Sequence, residues 1–167
     1  IMSTLIIPCA GQSSRYPGVR PKWMLTYPDG QLMIQKAIQG LKFNNLERTI
    51  ITIVKEHCDK YDSDLVLEQV FDGTVEICVL DDFTTSQSET VAQTLRKMNV
   101  EGDFVCKDSD GYVKIEIEKP DNFLVGVDLR NYKDISNVAE KSYIVLNEQN
   151  IIVDIVEKDI LSNIMNV

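Results

Sequence analysis

The sequence predicts an α/β protein: a mainly parallel sheet with helices on both faces, followed by a more β-rich part. Three observations predict it. Residues 4–8 and 75–80 read as strands, and the run over 49–54 is β-branched and continuous rather than alternating, as in a strand buried on both faces. Segments with apolar residues at helical spacing lie between such runs, so strand and helix alternate three times, the pattern of parallel strands joined by crossover helices. After Asp110 the helical spacing stops and strand-like runs follow one another.

Residues 4–8 form the first predicted strand, and residues 9–29, dense in Gly, Pro and Ser, a long loop. Leu32, Met33, Ala37, Ile38 and Leu41 give a helix over 32–41, with Gly40 near its end. Thr49–Val54 reads as a central strand. His57–Phe71 reads as one helix with Leu65, Leu67, Val70 and Phe71 on its buried side. A strand over 75–80 precedes a helix over 86–98, with Val91, Leu95 and Met98 on one face. A fourth strand spans 103–106. Beyond it, 112–117, 123–127, 142–146 and 151–156 are strand-like, and Asn147-Glu148-Gln149-Asn150 joins the last two as a hairpin loop.

The 167 residues fit a single domain, 1–167, large enough for a proper core. A net charge of −9 argues against nucleic acid and against an anionic membrane surface, which select basic proteins. It leaves room for a small anionic ligand, because Arg15, Arg20 and Lys22 cluster in an otherwise acidic chain. No apolar run approaches the length of a membrane span. The cysteines, Cys9, Cys58, Cys78 and Cys106, contain no CxxC pair, so a zinc site is not expected. Cys78 and Cys106 lie in apolar runs and are expected to be buried free thiols, which fits a cytoplasmic setting.

Four segments could carry chemistry. The loop after the first strand holds Ala10, Gly11, Gln12, Ser13, Ser14 and Arg15 and closes on Pro21-Lys22. Small residues let backbone N–H groups approach an anion, and the cations neutralise it; the alternative is a surface loop with solvated cations. Asp108 and Asp110 follow the fourth strand, where open α/β sheets place their sites. Two carboxylates there suit one hard cation such as Mg²⁺, or an Asp-Ser-Asp-Gly turn. Ser86 and Glu89 form a capping box in sequence, while Gln87 beside Ser88 could read a base edge. Glu157-Lys158 closes the hairpin as a functional pair or a solvated one. His57, the sole histidine, reads as structural or exposed, and Trp23 as a packing residue.

In this order the segments resemble the sugar-phosphate nucleotidylyltransferases, or NDP-sugar pyrophosphorylases, of glycosyltransferase-A-like fold. The family's first motif, A-G-x-G-S/T-R then P-K, is matched by Ala10-Gly11-Gln12-Ser13-Ser14-Arg15 and Pro21-Lys22, with Met24-Leu25 after it. Gly30-Gln31-Leu32-Met33-Ile34 resembles the family's G-x-P-L/M-I/L. Ser86-Gln87-Ser88-Glu89-Thr90-Val91 is similar to its base-binding segment, Asp108 to its metal-binding aspartate, Asp108 with Asp110 to a DxD motif, and Glu157-Lys158 to its later E-K pair. Ser13 and Ser86 stand where the family has glycine.

The resemblance implies a three-layer α/β/α Rossmann-like nucleotide-diphospho-sugar transferase fold, with a nucleotide-binding half at 1–110 and the start of an acceptor half at 111–167. It also implies an Mg²⁺-dependent nucleotidyltransferase of the bacterial capsule or surface-polysaccharide type, truncated at its C-terminus. An NTP and a phosphorylated acceptor, foremost a sugar 1-phosphate, are the expected partners, and a homodimer is compatible. Arg15 would hold the β/γ-phosphates, Lys22 the α-phosphate, and Asp108 with Asp110 the metal. Ala10 to Ser14 would line the phosphates, Gln87 and Ser88 the base, and Lys158 the acceptor's phosphate. Three other readings stay open: a cytidylyltransferase for a non-sugar acceptor, an NDP-sugar-using glycosyltransferase, and a non-catalytic nucleotide-binding module.

Overall fold

The computed structural model describes residues 3–12, 18–118, 122–128, 131 and 141–157. The chain divides into two compact units, Ile1–Asp121 and Asn122–Val167. In chain order the first contains β1 (Ser3–Pro8), a 3-10 turn (Lys22–Met24), α1 (Met33–Gln39), β2 (Leu41–Phe43) and β3 (Leu46–Val54). It continues with α2 (Lys55–Tyr61), α3 (Ser63–Phe71), β4 (Glu76–Leu80), α4 (Gln87–Lys97), β5 (Phe104–Cys106) and β6 (Ile115–Ile117). The second contains the hairpin strands β7 (Ser142–Leu146) and β8 (Ile152–Glu157).

The predicted α/β class and its mainly parallel sheet are found. Four strands pair in the order β4-β3-β1-β5, all parallel, with Ile6 opposite both Ile50 and Cys106. Strand alternation sends Leu5, Ile7, Ile51 and Ile53 to one face, where they meet Ile34 of α1 and Leu67 of α3. Ile50, Val54, Cys78 and Leu80 face the other way, with Phe83, Met98 and Val100 around α4. Helices thus cover both faces. Fully burying each such isoleucine stabilises the fold by roughly 2 kcal/mol.

Between α4 and the sheet the contact is polar. Thr52, Thr84, Thr90 and Thr94 are buried. Thr52 Oγ1 and Thr94 Oγ1 are 2.6 Å apart, Thr94 Oγ1 donates to the Thr90 carbonyl at 2.7 Å, and Thr90 Oγ1 lies 2.6 Å from Thr84 Oγ1. Each hydroxyl therefore has a partner, as burial demands. This run of hydroxyls seats α4 in one register and ends at the loop where the site lies.

Several boundaries differ from expectation. The helix predicted over 57–71 is two helices. Asp62 takes a left-handed conformation (φ 50°, ψ 39°), which Asp tolerates better than most residues. The break resets the helical phase, so Leu65, expected inside, is 58% exposed while Leu67 is fully buried. Leu41, expected to end the first helix, begins β2, whose three residues pair in parallel with β6. β6 covers only the end of the strand predicted over 112–117. Cys78 is buried as expected, but Cys106 is exposed: β5 lies at the edge of the described sheet.

In the second unit β7 and β8 pair antiparallel as predicted. Asn147 makes the turn, its Oδ1 accepting from the N–H groups of Gln149 and Ile151, and Asn150 is left-handed at φ 59°. Residues 122–128 contain no strand, against the prediction for 123–127. Gly126 interrupts the run, and no described strand pairs with it. Among the described residues, no helix is long and apolar enough to cross a membrane.

One ion pair ties the first unit's layers together. Arg48 donates from Nε to Glu76 Oε1 at 2.8 Å, and from Nη2 to Glu76 Oε2 at 2.9 Å and to the Met98 carbonyl at 3.2 Å. The Arg48 hydrogen bonds hold the Glu76 carboxyl below its ordinary value. A depressed carboxyl stabilises the fold above its unfolded-state pKa, and that contribution is lost as pH falls through the folded-state value. Glu76 is 44% exposed, so solvent screening limits the pair to about 1 kcal/mol or less. Arg48→Ala should cost about that much at about pH 7 and markedly less at about pH 3. Urea denaturation reads both values, and an equal cost at the two pH values would refute the ionic origin.

Candidate functional site

The predicted site residues that are described lie at the carboxyl ends of the parallel strands, where loops are free of the ladder. β1 runs into Cys9, Ala10 and Gly11. Thr84 N–H donates to the Ala10 carbonyl at 3.1 Å, and Gly11 bridges Thr84 in parallel. The first loop is thereby fastened to the segment that opens α4. Ala10 is fully buried, while Gly11 and Gln12 are exposed. A Cβ added at Gly11 would meet nothing within 4 Å, so the space beside its backbone is open.

Lys22 is set by the 3-10 turn. Met24 N–H donates to the Pro21 carbonyl at 2.8 Å, and Leu25 N–H to the Lys22 carbonyl at 3.1 Å. Trp23 and Met24 are each 3% exposed and anchor the turn in the core. Beneath it lies His57, buried, its ring 6.3 Å from Trp23, 6.5 Å from Tyr61 and 5.3 Å from Phe83. Burial lowers the His57 pKa and so favours the neutral ring. Trp23 fills the packing role expected of it. The aromatic group joins the turn that carries Lys22 to the loop before α4, and this role of His57 went unread in the sequence.

The Lys22 ammonium donates to Asp110 Oδ2 at 2.6 Å across 88 residues of sequence. This contact unites the first loop with the loop after β5. Cys9, pushed up to about 12 by burial, lies close enough to Ser109 and Asp110 for both to act on its thiol. Asp108 takes a different partner: Lys107, which also donates to the Gly111 carbonyl at 2.6 Å and the Asp108 carbonyl at 3.1 Å. Desolvation lowers the Lys107 pKa while the Asp110 carboxylate opposes the fall. Asp108 and Asp110 therefore sit in one loop, each neutralised by its own lysine. Sequence spacing signalled the carboxylates, but not Lys107.

The donors at this strand end are hard oxygens, two carboxylates and two carbonyls, and a lysine ammonium already sits among three of them. Such a set suits Mg²⁺, which needs few protein ligands when phosphate oxygens complete its shell. No group of three or more His, Cys, Asp or Glu side chains gathers for a metal among the described residues.

At the start of α4, Ser86 caps as predicted, its Oγ accepting from Glu89 N–H at 3.1 Å. The reciprocal half of the capping box differs. Glu89 Oε2 accepts from Thr85 N–H and Thr85 Oγ1, both at 2.7 Å, not from Ser86 N–H. Those bonds hold the Glu89 carboxyl below its ordinary value. Ser86 has an extended backbone (φ −150°, ψ 161°), so no glycine is required there. Gln87 and Ser88 are exposed, and Ser88 Oγ lies 3.1 Å from Ser86 Oγ. A cleft of about 640 Å³ lies between α4 and the end of β4, lined by Leu80, Phe83, Glu89, Gln93 and Arg96 among others. It includes none of the predicted site residues. Ser13, Ser14, Arg15 and Lys158 lie outside the described residues.

No family model matches the chain, and no curated protein does. Among solved structures it is similar to a nucleoside-diphosphate-sugar pyrophosphorylase from Vibrio cholerae RC9. The TM-score is 0.63 and the identity 21%, over 95% of this chain and 68% of that one. The likeness establishes the fold: the two chains share one α/β architecture over nearly the whole length of this one.

Proposed function

We propose that this chain is a nucleotidyltransferase that joins an NTP to a phosphorylated acceptor, foremost a sugar 1-phosphate, and releases pyrophosphate. The observation that carries the proposal is the 2.6 Å contact between Lys22 and Asp110. It brings a phosphate-type cation from the first loop to a carboxylate pair at a strand end. The fold shared with a pyrophosphorylase supports the same reading.

In the reaction an acceptor phosphate oxygen attacks the α-phosphorus in line, the bond from that phosphorus to the bridging oxygen breaks, and pyrophosphate leaves. Lys22 exchanges Asp110 for the α-phosphate and stabilises the charge that builds there. Gly11, with open space beside its backbone, lets the nucleotide approach closely. Asp108 and Asp110 would hold Mg²⁺, which when bound would neutralise phosphate charge. Gln87 and Ser88, exposed at the start of α4, read the base. Glu89, held ionised beside them, repels phosphate and so favours the neutral end of the nucleotide there. Arg15 would take the β/γ-phosphates and Lys158 the acceptor's phosphate. A role in capsule or surface-polysaccharide precursor synthesis, in the cytoplasm, belongs to the same proposal.

Pyrophosphate release tests it, with each NTP offered alone and with a sugar 1-phosphate. One nucleotide should raise the melting temperature, by about 2.7 kcal/mol of stabilisation at a hundredfold excess over its Kd. It should release pyrophosphate only when the acceptor is present. Asp108→Asn should retain the fold and lose turnover about 10²-fold or more. A nucleotide-induced shift without any turnover would favour a binding module. Consumption of an NDP-sugar instead of an NTP would favour a glycosyltransferase.

A further inference from the structure

We propose that Lys107 is a tethered cation holding the Asp108 oxygens in the place of a divalent ion, so that the ion enters only as Lys107 leaves. The inference deepens the proposed reading, because it concerns how the nucleotide-free site is kept closed to metal.

Lys107 directly follows β5, and its N–H donates to the Ile6 carbonyl at 3.0 Å, extending the ladder with β1. Its backbone is thus fixed by the sheet. The side chain is only 12% exposed, unusual for a lysine, and it folds back over the loop it precedes. Its Nζ has three donors and finds three oxygens: the Asp108 carboxylate, the Asp108 carbonyl and the Gly111 carbonyl. That is an oxygen cage filled by an ammonium. Asp108 is held from the other side too. A Cβ at Gly111 would lie 2.8 Å from Asp108 Oδ2 and 3.2 Å from Oδ1, so the carboxylate rests against the bare Cα of Gly111.

The second carboxylate is also engaged, since Asp110 accepts from Lys22. Two ammoniums and two carboxylates leave these four side chains without net charge. A divalent ion approaching this loop alone meets carboxylates that are already neutralised. It must displace an amine whose backbone is pinned one residue away, and Coulomb repulsion from that amine acts at short range. The lysine is therefore a competitor at fixed, high effective concentration.

The test measures Mn²⁺ binding to the nucleotide-free protein by electron paramagnetic resonance. Lys107→Met keeps the length and apolar stem of the side chain and removes its charge. It should bind Mn²⁺ about tenfold more tightly than the parent or better. Adding Asp108→Asn should abolish the gain. Lys114→Met, which removes an exposed lysine further along the chain, should stay within about twofold of the parent. Equal affinity in the parent and Lys107→Met, or a gain that survives Asp108→Asn, overturns the inference.

A second measurement reads the parent protein, with a charge-conserving variant used only for assignment. In the parent protein, Mg²⁺ titration should shift the Lys107 side-chain NMR signal at saturation, as its amine is released. Identification of that signal rests on its absence in Lys107→Arg. An unmoved signal at Mg²⁺ saturation overturns the inference. Neither arm involves nucleotide, so a failure of the nucleotidyl-transfer reading and a failure of this inference are distinguishable.

Discussion

Gly40→Ala is expected to destabilise the first unit by about 3 kcal/mol, the upper part of the range for overpacking a filled site. A Cβ at this position would sit 2.0 Å from the Val113 carbonyl oxygen and 2.8 Å from its carbon. Both are backbone atoms, so no rotamer change relieves the clash. The third neighbour, the Tyr112 ring at 3.1 Å, is itself tight. Gly40 caps α1 with φ −82°, which any residue can adopt, so the requirement for glycine is one of space and not of conformation. The segment it touches leads into β6, and Ile115 N–H donates to the Gly40 carbonyl at 3.0 Å. Relief therefore means lifting residues 112–113, and with them the β2–β6 pairing. Gly11→Ala serves as the control, since its added Cβ would find open space. It should change stability by about 0.5 kcal/mol or less. Urea denaturation of both variants decides the point; a Gly40→Ala midpoint equal to the parent's, at unchanged slope, would show that the contact yields.

The same glycine marks a boundary of what sequence patterning can convey. Gly40 was legible as lying near a helix end, because glycine is common there. That it also admits a carbonyl from residue 113 was not, because nothing local encodes a contact across 73 positions. The long central strands were legible for the opposite reason. β3 carries Ile50, Ile51, Thr52, Ile53 and Val54 in one run, and burial on both faces leaves its mark on every residue. β2 and β6, with three residues each, are too short to show a period. Asp62 hid a helix break because Asp is an ordinary residue on a helix surface, and only its left-handed backbone reveals the break. The burial of Thr90 and Thr94 on α4 was not legible either, because it depends on the hydroxyl partners that Thr52 and Thr84 offer.

The candidate site divides along similar lines. Asp108, Asp110, Lys22 and Gln87 were legible as types of residue at the ends of predicted elements. Their pairing was not. Sequence spacing suggested that the two aspartates act together on one cation. In the fold each takes its own lysine, and Lys107, which signals nothing in the sequence, determines what Asp108 meets.

Lys22→Ala is expected to lower pyrophosphate release about 10²- to 10³-fold, equivalent to roughly 3–4 kcal/mol of lost transition-state stabilisation. The loss should be far larger in turnover than in stability. Lys22 is 51% exposed and Asp110 35%, and an ion pair so open to solvent contributes little to folding. The buried anchors of the turn, Trp23 and Met24, are untouched by the change, so the backbone that presents residue 22 stays in place. In the proposed reaction the variant removes one cation from the point where the α-phosphate would gain charge. Ground-state binding also draws on other groups along the triphosphate, so kcat should fall more than KM rises. Lys22→Arg separates charge from shape. A guanidinium restores the charge but offers a planar fork where a compact ammonium stood, so partial recovery is expected. Release near the parent rate in Lys22→Ala, from protein whose melting temperature matches the parent's, would remove Lys22 from the phosphate site. It would leave the contact with Asp110 as a structural pair.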